Sequence, residues 1–357
     1  MHTLGTHFTK LLENIQPPPH RLKKAQKIPA RVRDFLAEHK EFKTMPPHSR
    51  LVGSYAQHLS VGDVKDVDIL VRVDGDPEAN DPPAREVLRG LKAALDDLPE
   101  YLGYHGESEF DINRNRRSVH VRFNEEDFHL DVVPCIAPQG FEAPIYVPDW
   151  GFKKWIKSHP LGVVTLIQEL EDEHPGKFRN VTKLLKHFRN THMVYMRPKS
   201  YWLVAMSIEA VKDGAVDTSE PLAVVFDQLL NHLYTKYSPI YQRTDGATPH
   251  IKDPMLGHDV SWNWSRNDFE AFLRRLEEGK RWTGEALKQD DKDEAIKYWR
   301  KVFGDEFPED VDEYASALAA THWPGVAHAS SRGVILSGAV EGVKSTPVLP
   351  TRYYGDE

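Results

Sequence analysis

The chain has 357 residues, of which 40% are hydrophobic and 28% charged, a balance typical of a globular protein of more than one domain. Its 54 acidic residues outnumber its 46 basic ones, and the net charge of −8 disfavours stable binding of nucleic acid through its phosphates. No apolar run approaches the roughly 18 residues of a membrane-spanning helix. The N-terminus also lacks the apolar stretch of a signal peptide, so we expect a cytoplasmic protein without membrane contact.

Two helices are predicted before the first functional motif. Residues 8–15 carry an apolar stripe at helical spacing, and the prolines at 17–19 end that helix. A second helix is predicted from about residue 30 to 39, because Val32 and Phe35 share one face.

The stretch from residue 51 to 73 carries the strongest functional signal. The pair Gly53-Ser54 is followed, after eleven residues, by Asp66-Val67-Asp68 and an apolar run. Alternate residues of a strand share a face, so Asp66 and Asp68 would present two carboxylates side by side. Because such carboxylates repel each other and are costly to desolvate, they favour a divalent cation such as Mg²⁺.

A third acid lies in a later predicted strand. Residues 83–98 are predicted as a helix, and residues 119–123 and 129–136 as strands. Asp131 stands at the centre of the last strand, where a buried acid needs a partner that a metal ion can supply. The adjacent Cys135 is the only cysteine; it cannot form an internal disulfide, and we interpret it as a small core residue of a protein in a reducing compartment.

Two segments near these strands are interpreted as irregular. The basic cluster Asn113–Arg117 is read as a solvated turn, and residues 137–148 as a loop leading out of the sheet. The eighteen histidines are scattered without a metal-binding spacing, so we interpret them as structural or surface residues.

The second half of the chain is predicted to be helical. Helical spacing of apolar residues marks segments 161–170, 178–192, 201–211, 221–237, 268–287 and 291–303. Gly279 is a candidate interruption of the fifth segment. Strands followed by helices predict an α+β fold, with a catalytic domain at 1–157, an α-helical domain at 158–322 and a C-terminal tail at 323–357.

The Gly53-Ser54 pair, Asp66 and Asp68, and Asp131 together resemble the signature of DNA polymerase β-like nucleotidyltransferases. The resemblance implies that the Gly-Ser turn holds the incoming triphosphate. It also implies that the three acids bind two Mg²⁺ ions, with Mn²⁺ as a substitute, and carry out nucleotidyl transfer.

The helical half carries a second resemblance. Residues 183–188 and 198–203 resemble a helix pair of the oligoadenylate synthetase and cyclic GMP-AMP synthase families and of the bacterial cGAS/DncV-like (CD-NTase) nucleotidyltransferases. By position, the resemblance implies that Lys186 and Ser200 hold triphosphate oxygens and that Tyr201 stacks on a base. From composition alone, Lys186 would equally be a surface lysine and Tyr201 a core residue.

The resemblance extends over residues 28–305 and implies a function. It predicts an enzyme that makes a cyclic di- or oligonucleotide second messenger from NTPs, with ATP among them, and releases pyrophosphate in bacterial antiphage defence. The alternative is an RNA-directed transferase of the CCA-adding or poly(A)-adding type, which would need a basic channel. A third hypothesis is a non-enzymatic binding module, which the intact acids Asp66, Asp68 and Asp131 disfavour.

The tail from residue 323 is rich in Gly, Ser, Pro and Ala and has no helical period. This composition predicts a disordered or regulatory segment. The resemblance suggests that ancillary defence proteins bind it.

Overall fold

A computed structural model describes residues 2–64, 66–104 and 110–311, together with the backbone of three short strands between 327 and 348. The chain divides into two compact units. The sheet unit comprises residues 16–168 and 254–257, and the helical unit comprises residues 1–15, 169–253 and 258–357.

Strands and helices alternate in the first half of the chain, and helices follow. The strands are β1 (Ser49–Val52), β2 (Asp66–Val73), β3 (Phe110–Arg114), β4 (Val119–Phe123), β5 (Phe128–Ile136), β6 (Ile145–Asp149) and β7 (Lys154–Ser158). The helices are α1 (Gly5–Asn14), α2 (Pro19–Glu38), α3 (Gly53–Ala56), α4 (Ala84–Asp96), α5 (Leu98–Leu102), α6 (Pro160–Glu173), α7 (Phe178–His192), α8 (Ser200–Lys212), α9 (Leu222–Tyr241), α10 (Arg266–Lys288) and α11 (Lys292–Phe303).

The sheet unit is built on a mixed sheet in which β1, β2, β5, β4 and β3 are neighbours in that order. β6 pairs with the end of β5, and β7 pairs with β6. The β2–β5 pair is parallel, and the other pairs are antiparallel. Strand alternation places Val67, Ile69 and Val132 in one apolar core, against which α2 and α4 pack. The opposite face of the same strands carries the acidic residues and a second, smaller apolar cluster that includes Leu70 and Cys135.

The helical unit is held by an aromatic core. Trp299 stacks on Phe303 at a ring-centre distance of 5.9 Å, and Phe303 stacks on Phe307 at 6.1 Å. Phe8 of α1 meets Trp299 edge-on at 4.9 Å. This packing explains why residues 1–15 group with the helices, although the sequence predicts them as part of the catalytic domain. The boundary between the units also falls after residue 168 rather than after residue 157.

Several elements differ from the sequence predictions. α2 begins at Pro19, not near residue 30, because proline is tolerated in the first turn of a helix, where its missing N–H has no partner to lose. The predicted loop 137–148 contains β6, a strand with four buried residues out of five. The predicted interruption at Gly279 is wrong, because α10 runs through it.

The C-terminal segment contains three short antiparallel strands, β8 (Ala327–Ser330), β9 (Ile335–Ser337) and β10 (Ser345–Val348), with β8 in the middle. The other residues of the predicted tail lie outside the described residues, so its regulatory role stays a prediction. Among the described helices, none combines the length and the apolar character needed to cross a membrane.

We expect Gly279→Ala to destabilise the protein, although alanine normally favours a helix interior over glycine. A Cβ at this position would lie 2.7 Å from Cζ of the buried Phe188 and 3.0 Å from Leu230. Overpacking of this kind costs about 1–3 kcal/mol of unfolding free energy. Gly284→Ala in the same helix is the control, because no atom lies within 4 Å of its added Cβ. Chemical denaturation would contradict the prediction if both variants gained stability.

Candidate active site

The three predicted acids lie on one face of the sheet. In the parallel β2–β5 pair, Asp68 stands opposite Asp131 and Asp66 opposite His129. Paired residues of neighbouring strands share a face, so the three carboxylates are directed to the same side. The structure therefore confirms that the acids of the two strands come together.

Gly53 lies directly against this face. It follows Val52, which pairs with Asp68 in the β1–β2 ladder, and it opens the one-turn helix α3 together with Ser54. Gly53 has a φ of +74°, and a Cβ here would overlap a carboxylate oxygen of Asp68. Only glycine meets both requirements without strain, which explains the Gly-Ser pair beside the acids.

The charges of the acids act on one another. Burial, together with the neighbouring Asp131 and Asp66, raises the pKa of Asp68 from 3.8 to about 7. Burial and the neighbouring His120 lower the pKa of His129. The face thus carries carboxylates that are not fully compensated by positive side chains.

Asp131 is held by residues that the sequence reasoning missed. Its Oδ1 accepts hydrogen bonds from Ser118 Oγ at 2.8 Å and from Asn115 Nδ2 at 3.3 Å. His120, which faces Asp131 across the β4–β5 pair, places its Nδ1 3.5 Å from the same oxygen. The alternation of residues 119–123 predicts that His120 points away from the core. That its partner is Asp131 follows only from the strand register.

The three carboxylates are chemically suited to a divalent cation. Mg²⁺ prefers hard oxygen ligands such as carboxylates, and a bound cation would relieve their mutual repulsion. Burial first, and the neighbouring carboxylates in addition, raise the pKa of Asp68, and a bound cation would offset both effects. In the described part of the chain, however, no three His, Cys, Asp or Glu side chains are grouped so that they could hold a metal ion as they stand. One or two of these carboxylates, with phosphate oxygens of a substrate, would be the usual ligand set for Mg²⁺.

In the helical unit, the predicted triphosphate residues lie on the adjacent helices α7 and α8. Lys186 is buried, with 5% of its surface exposed, so the alternative of a surface lysine is wrong. Ser200 is the first residue of α8, and its Oγ accepts a hydrogen bond of 3.1 Å from Arg189 Nη1. Arg189 lies one helical turn after Lys186.

Arg189 is a further residue that the sequence reasoning missed. It is 6% exposed, and its hydrogen bonds go to the Pro198 carbonyl, the Ser200 hydroxyl and the Asn190 amide oxygen. None of these bonds, within the described residues, reaches a carboxylate. Burial, together with the charge of Arg197, lowers the pKa of Arg189 to about 10. A buried cation without an acidic partner is costly and points to an anion bound nearby.

Tyr201 is anchored through its hydroxyl. Its OH donates to Asp253 Oδ2 at 2.8 Å, and burial together with this carboxylate raises the pKa of the phenol. The ring is partly exposed. Tyr201 is thus neither a pure core residue nor a free surface residue, and a role in base stacking remains a proposal.

Each unit contributes its own group of predicted residues. The sheet unit brings together Gly53, Ser54 and the three acids, and the helical unit carries Lys186, Ser200 and Tyr201 on adjacent helices. Cys135 is fully buried, and burial raises the pKa of its thiol to about 12, as expected for a core residue.

Comparison with known proteins identifies the family. A family model, the Second Messenger Oligonucleotide or Dinucleotide Synthetase domain, matches residues 1–170. A cyclic AMP-AMP-AMP synthase of Acinetobacter sp. is 28% identical over 98% of this chain and 96% of its own length. These matches confirm the resemblance to the cGAS/DncV-like nucleotidyltransferases that the sequence predicts. This nucleotidyltransferase is thus an enzyme of the cyclic oligonucleotide synthase type, as the sequence predicts.

Two further comparisons agree with this. A cyclic AMP-AMP-GMP synthase of Enterobacter hormaechei is 24% identical over 57% of the chain and 56% of that protein. Among solved structures, Escherichia coli CdnC in its HORMA-deltaN complex has a TM-score of 0.63 at 17% identity, covering 85% of this chain and 98% of that one. Vibrio cholerae DncV with a linear intermediate gives the same TM-score at 17% identity, covering 85% and 97%. These structures show that the predicted α+β fold is correct.

We expect Asp68→Asn to stabilise this nucleotidyltransferase at high pH when divalent cations are removed with EDTA. The pKa of Asp68 is raised in the folded state, so the wild type loses stability as pH rises from about 4 to about 7. The amide cannot ionise and escapes this loss. The variant should therefore melt at a higher temperature at pH 8, with a difference that shrinks as pH falls towards 4. A lower melting temperature at every pH would contradict the prediction.

Proposed function

We propose that this nucleotidyltransferase makes a cyclic di- or oligonucleotide from NTPs, with ATP as a substrate, in an Mg²⁺-dependent reaction that releases pyrophosphate. The observation that carries the proposal is the register of β2 and β5, which puts Asp66 and Asp68 beside Asp131 next to Gly53. The Acinetobacter relative, which aligns over 98% of the chain, is named as a synthase of cyclic AMP-AMP-AMP, which favours an adenylate product.

The carboxylates Asp66, Asp68 and Asp131 would hold the divalent ions. When bound, such ions neutralise triphosphate charge and favour ionisation of an attacking hydroxyl. Ser118 and Asn115 hold the Asp131 carboxylate in place beside β2. Asp131 would also accept the proton of the acceptor hydroxyl. Positioning and charge compensation, rather than covalent catalysis, would account for the rate.

The helical unit would supply positive charge for the leaving pyrophosphate. Lys186 offers an ammonium on α7 and Ser200 a hydroxyl at the start of α8, where its Oγ accepts a hydrogen bond from Arg189. The N-terminal end of the 13-residue helix α8 favours an anion beside Ser200. These groups would hold triphosphate oxygens, and Tyr201 would stack on the base. In the sheet unit, the Gly53-Ser54 turn would likewise bind triphosphate.

We also propose a cytoplasmic role in antiphage defence, with ancillary proteins bound at the C-terminal tail. Family membership supports this role, and one structural relative of the chain is known in a complex with HORMA-deltaN. The RNA-directed alternative remains an outcome of the test described next.

The purified protein should convert α-³²P-labelled ATP, in the presence of Mg²⁺ or Mn²⁺, into a small product that resists phosphatase. Pyrophosphate release should rise in parallel, because each phosphodiester bond formed releases one pyrophosphate. Asp131→Asn should abolish both signals and keep the wild-type circular dichroism spectrum. Extension of an added RNA would instead support the CCA-adding or poly(A)-adding alternative, and the absence of any turnover would support a binding module.

Lys186→Ala should weaken binding of a non-reactive ATP analogue, measured by calorimetry with Mg²⁺. Loss of one charge-assisted contact to a phosphate costs about 1.5–3 kcal/mol, or roughly tenfold or more in Kd. Lys212→Ala is the charge-matched control, because Lys212 is exposed at the far end of α8. Equal affinities in the two variants would remove Lys186 from the triphosphate site.

A further inference from the structure

One guanidinium group joins the segments that lead into the two acid-bearing strands. Arg21, near the start of α2, places its Nε 2.7 Å from Asp63 Oδ1 and its Nη2 3.1 Å from Asp127 Oδ2. Asp63 lies shortly before β2, and Asp127 is the residue directly before β5. We call residues 60–64 and 124–127 the entry segments of β2 and β5. Arg21 therefore links two segments that are far apart in the chain.

The same arginine holds the backbone of the second entry segment. Its Nη1 donates hydrogen bonds to the carbonyl oxygens of Glu126 and Asp127, both at 2.9 Å. Lys24, on the next turn of α2, donates to the Glu126 carbonyl at 3.0 Å. Asp127 has a φ of +46°, a left-handed conformation that is unfavourable for most residues with a Cβ. Arg21 bonds both to the carbonyl and to the carboxylate of Asp127, and these bonds stabilise that conformation.

The geometry of these bonds requires an arginine. The Arg21 side chain is 14% exposed, and its Nε, Nη1 and Nη2 each contact a different group. A guanidinium is planar and rigid, so fixing its nitrogens fixes the positions of its partners relative to one another. Hydrogen bonds between charged groups are also stronger than neutral ones. Arg21 thus acts as a rigid spacer between the entry segments rather than as part of a loose surface ion pair.

The acids lie at the same end of the strands as the entry segments. Asp66 and Asp68 are the first and third residues of β2, and Asp131 is the fourth residue of β5. Asp68 and Asp131 stand directly opposite each other, and like charges in that arrangement destabilise the strand pair. Parallel strands cannot be joined by a tight turn, so the covalent chain does not hold these two ends together. The contacts of Arg21 supply a link at this end.

Asp131 has a second support on the β4 side. The turn between β3 and β4, which donates hydrogen bonds to Asp131, is anchored by the fully buried carboxylate of Asp149. Arg116 and Arg117 in this turn each donate to Asp149 through Nε at 2.9 Å. The sequence interpretation of a solvated turn is therefore wrong for these two arginines. This support fixes Asp131 against β4, and the spacing between β5 and β2 depends on other contacts.

We propose that Arg21 is a positioning residue: by tying the entry segments together, it sets the distance between the carboxylates on β2 and the carboxylate on β5. A shift of either entry segment would pass along a hydrogen-bonded strand to an acid a few residues later. Groups that act together on one substrate can lose about 10²-fold in rate when one of them is misplaced by about 1 Å. The positioning role rests on the proposed function, whereas the link between the entry segments does not.

Hydrogen–deuterium exchange of the full-length protein, without nucleotide or metal, tests the link. Arg21→Gln should speed exchange of backbone amides in both entry segments, because it removes the bonds that hold them. Asp63→Asn should speed exchange chiefly in the first entry segment. Arg31→Gln on the same helix is the matched control and should exchange as the wild type does, since Arg31 is exposed and donates to the Leu102 carbonyl. Unchanged exchange in both entry segments of Arg21→Gln would overturn the proposal.

Kinetics and metal binding test the positioning role. Arg21→Lys keeps the charge but cannot reproduce the planar set of bonds, and Arg21→Gln removes the charge. Both variants should lower kcat for ATP turnover about tenfold or more. KM for ATP should change little, because Lys186 and Ser200 lie in the helical unit. Both variants should also weaken Mn²⁺ binding in the presence of a non-reactive ATP analogue, measured from the EPR signal of free Mn²⁺. Adding Asp63→Asn to Arg21→Gln should cost less than the sum of the single losses, because the two substitutions remove the same contact.

Two results would overturn the positioning role alone. The first is wild-type kcat and Mn²⁺ affinity in an Arg21 variant whose entry segments exchange faster, and the second is an equal loss of kcat in Arg31→Gln. A wild-type protein that neither binds Mn²⁺ with the analogue nor turns over ATP would overturn the proposed function and with it the positioning role. The exchange experiment would still decide whether Arg21 links the entry segments.

Discussion

Repulsion among three carboxylates is the constraint on which the rest of the sheet unit depends. Asp66, Asp68 and Asp131 share one face, and burial and repulsion together raise the pKa of Asp68 to about 7. The surrounding structure accommodates this cost in several ways. Gly53 leaves room for the Asp68 carboxylate, and Ser118 and Asn115 donate hydrogen bonds to Asp131. The apolar core on the other face keeps the strands in register.

In its described part, the helical unit also contains a buried charge without a counterion, and this charge is positive. Arg189 is a buried cation bonded to neutral oxygens, and burial together with the charge of Arg197 lowers its pKa. One group of residues therefore carries an excess of negative charge and the other an excess of positive charge. A magnesium nucleoside triphosphate carries a cation that would compensate the carboxylates and phosphates that would compensate the arginine. The proposed substrate therefore suits both groups of residues.

Local chemistry made much of this site predictable from the sequence. Gly53-Ser54 and the two acids Asp66 and Asp68 lie in one short stretch of the chain, so their spacing is visible in the sequence. The bounds of α7 follow from the helical spacing of its apolar residues. The unpredicted contacts are those made across strands. Nothing in the sequence links Asp149 to Arg116, because their contact depends on β6. The apolar run of this strand is short and lies between prolines, so the sequence predicts a loop there. Arg189 could have been found, because it stands three residues after Lys186 and so shares its helical face.

The parallel pairing of β2 with β5 has a consequence for how the enzyme becomes active during synthesis. Two helices and two further strands separate Asp68 from Asp131 in the chain, so the pairing of β2 with β5 is a long-range event. Long-range strand pairing forms slowly, and a slip of one residue would turn Leu130 towards the acids. The proposed site would therefore form only after this long-range pairing, and a chain that ended before β5 would lack Asp131.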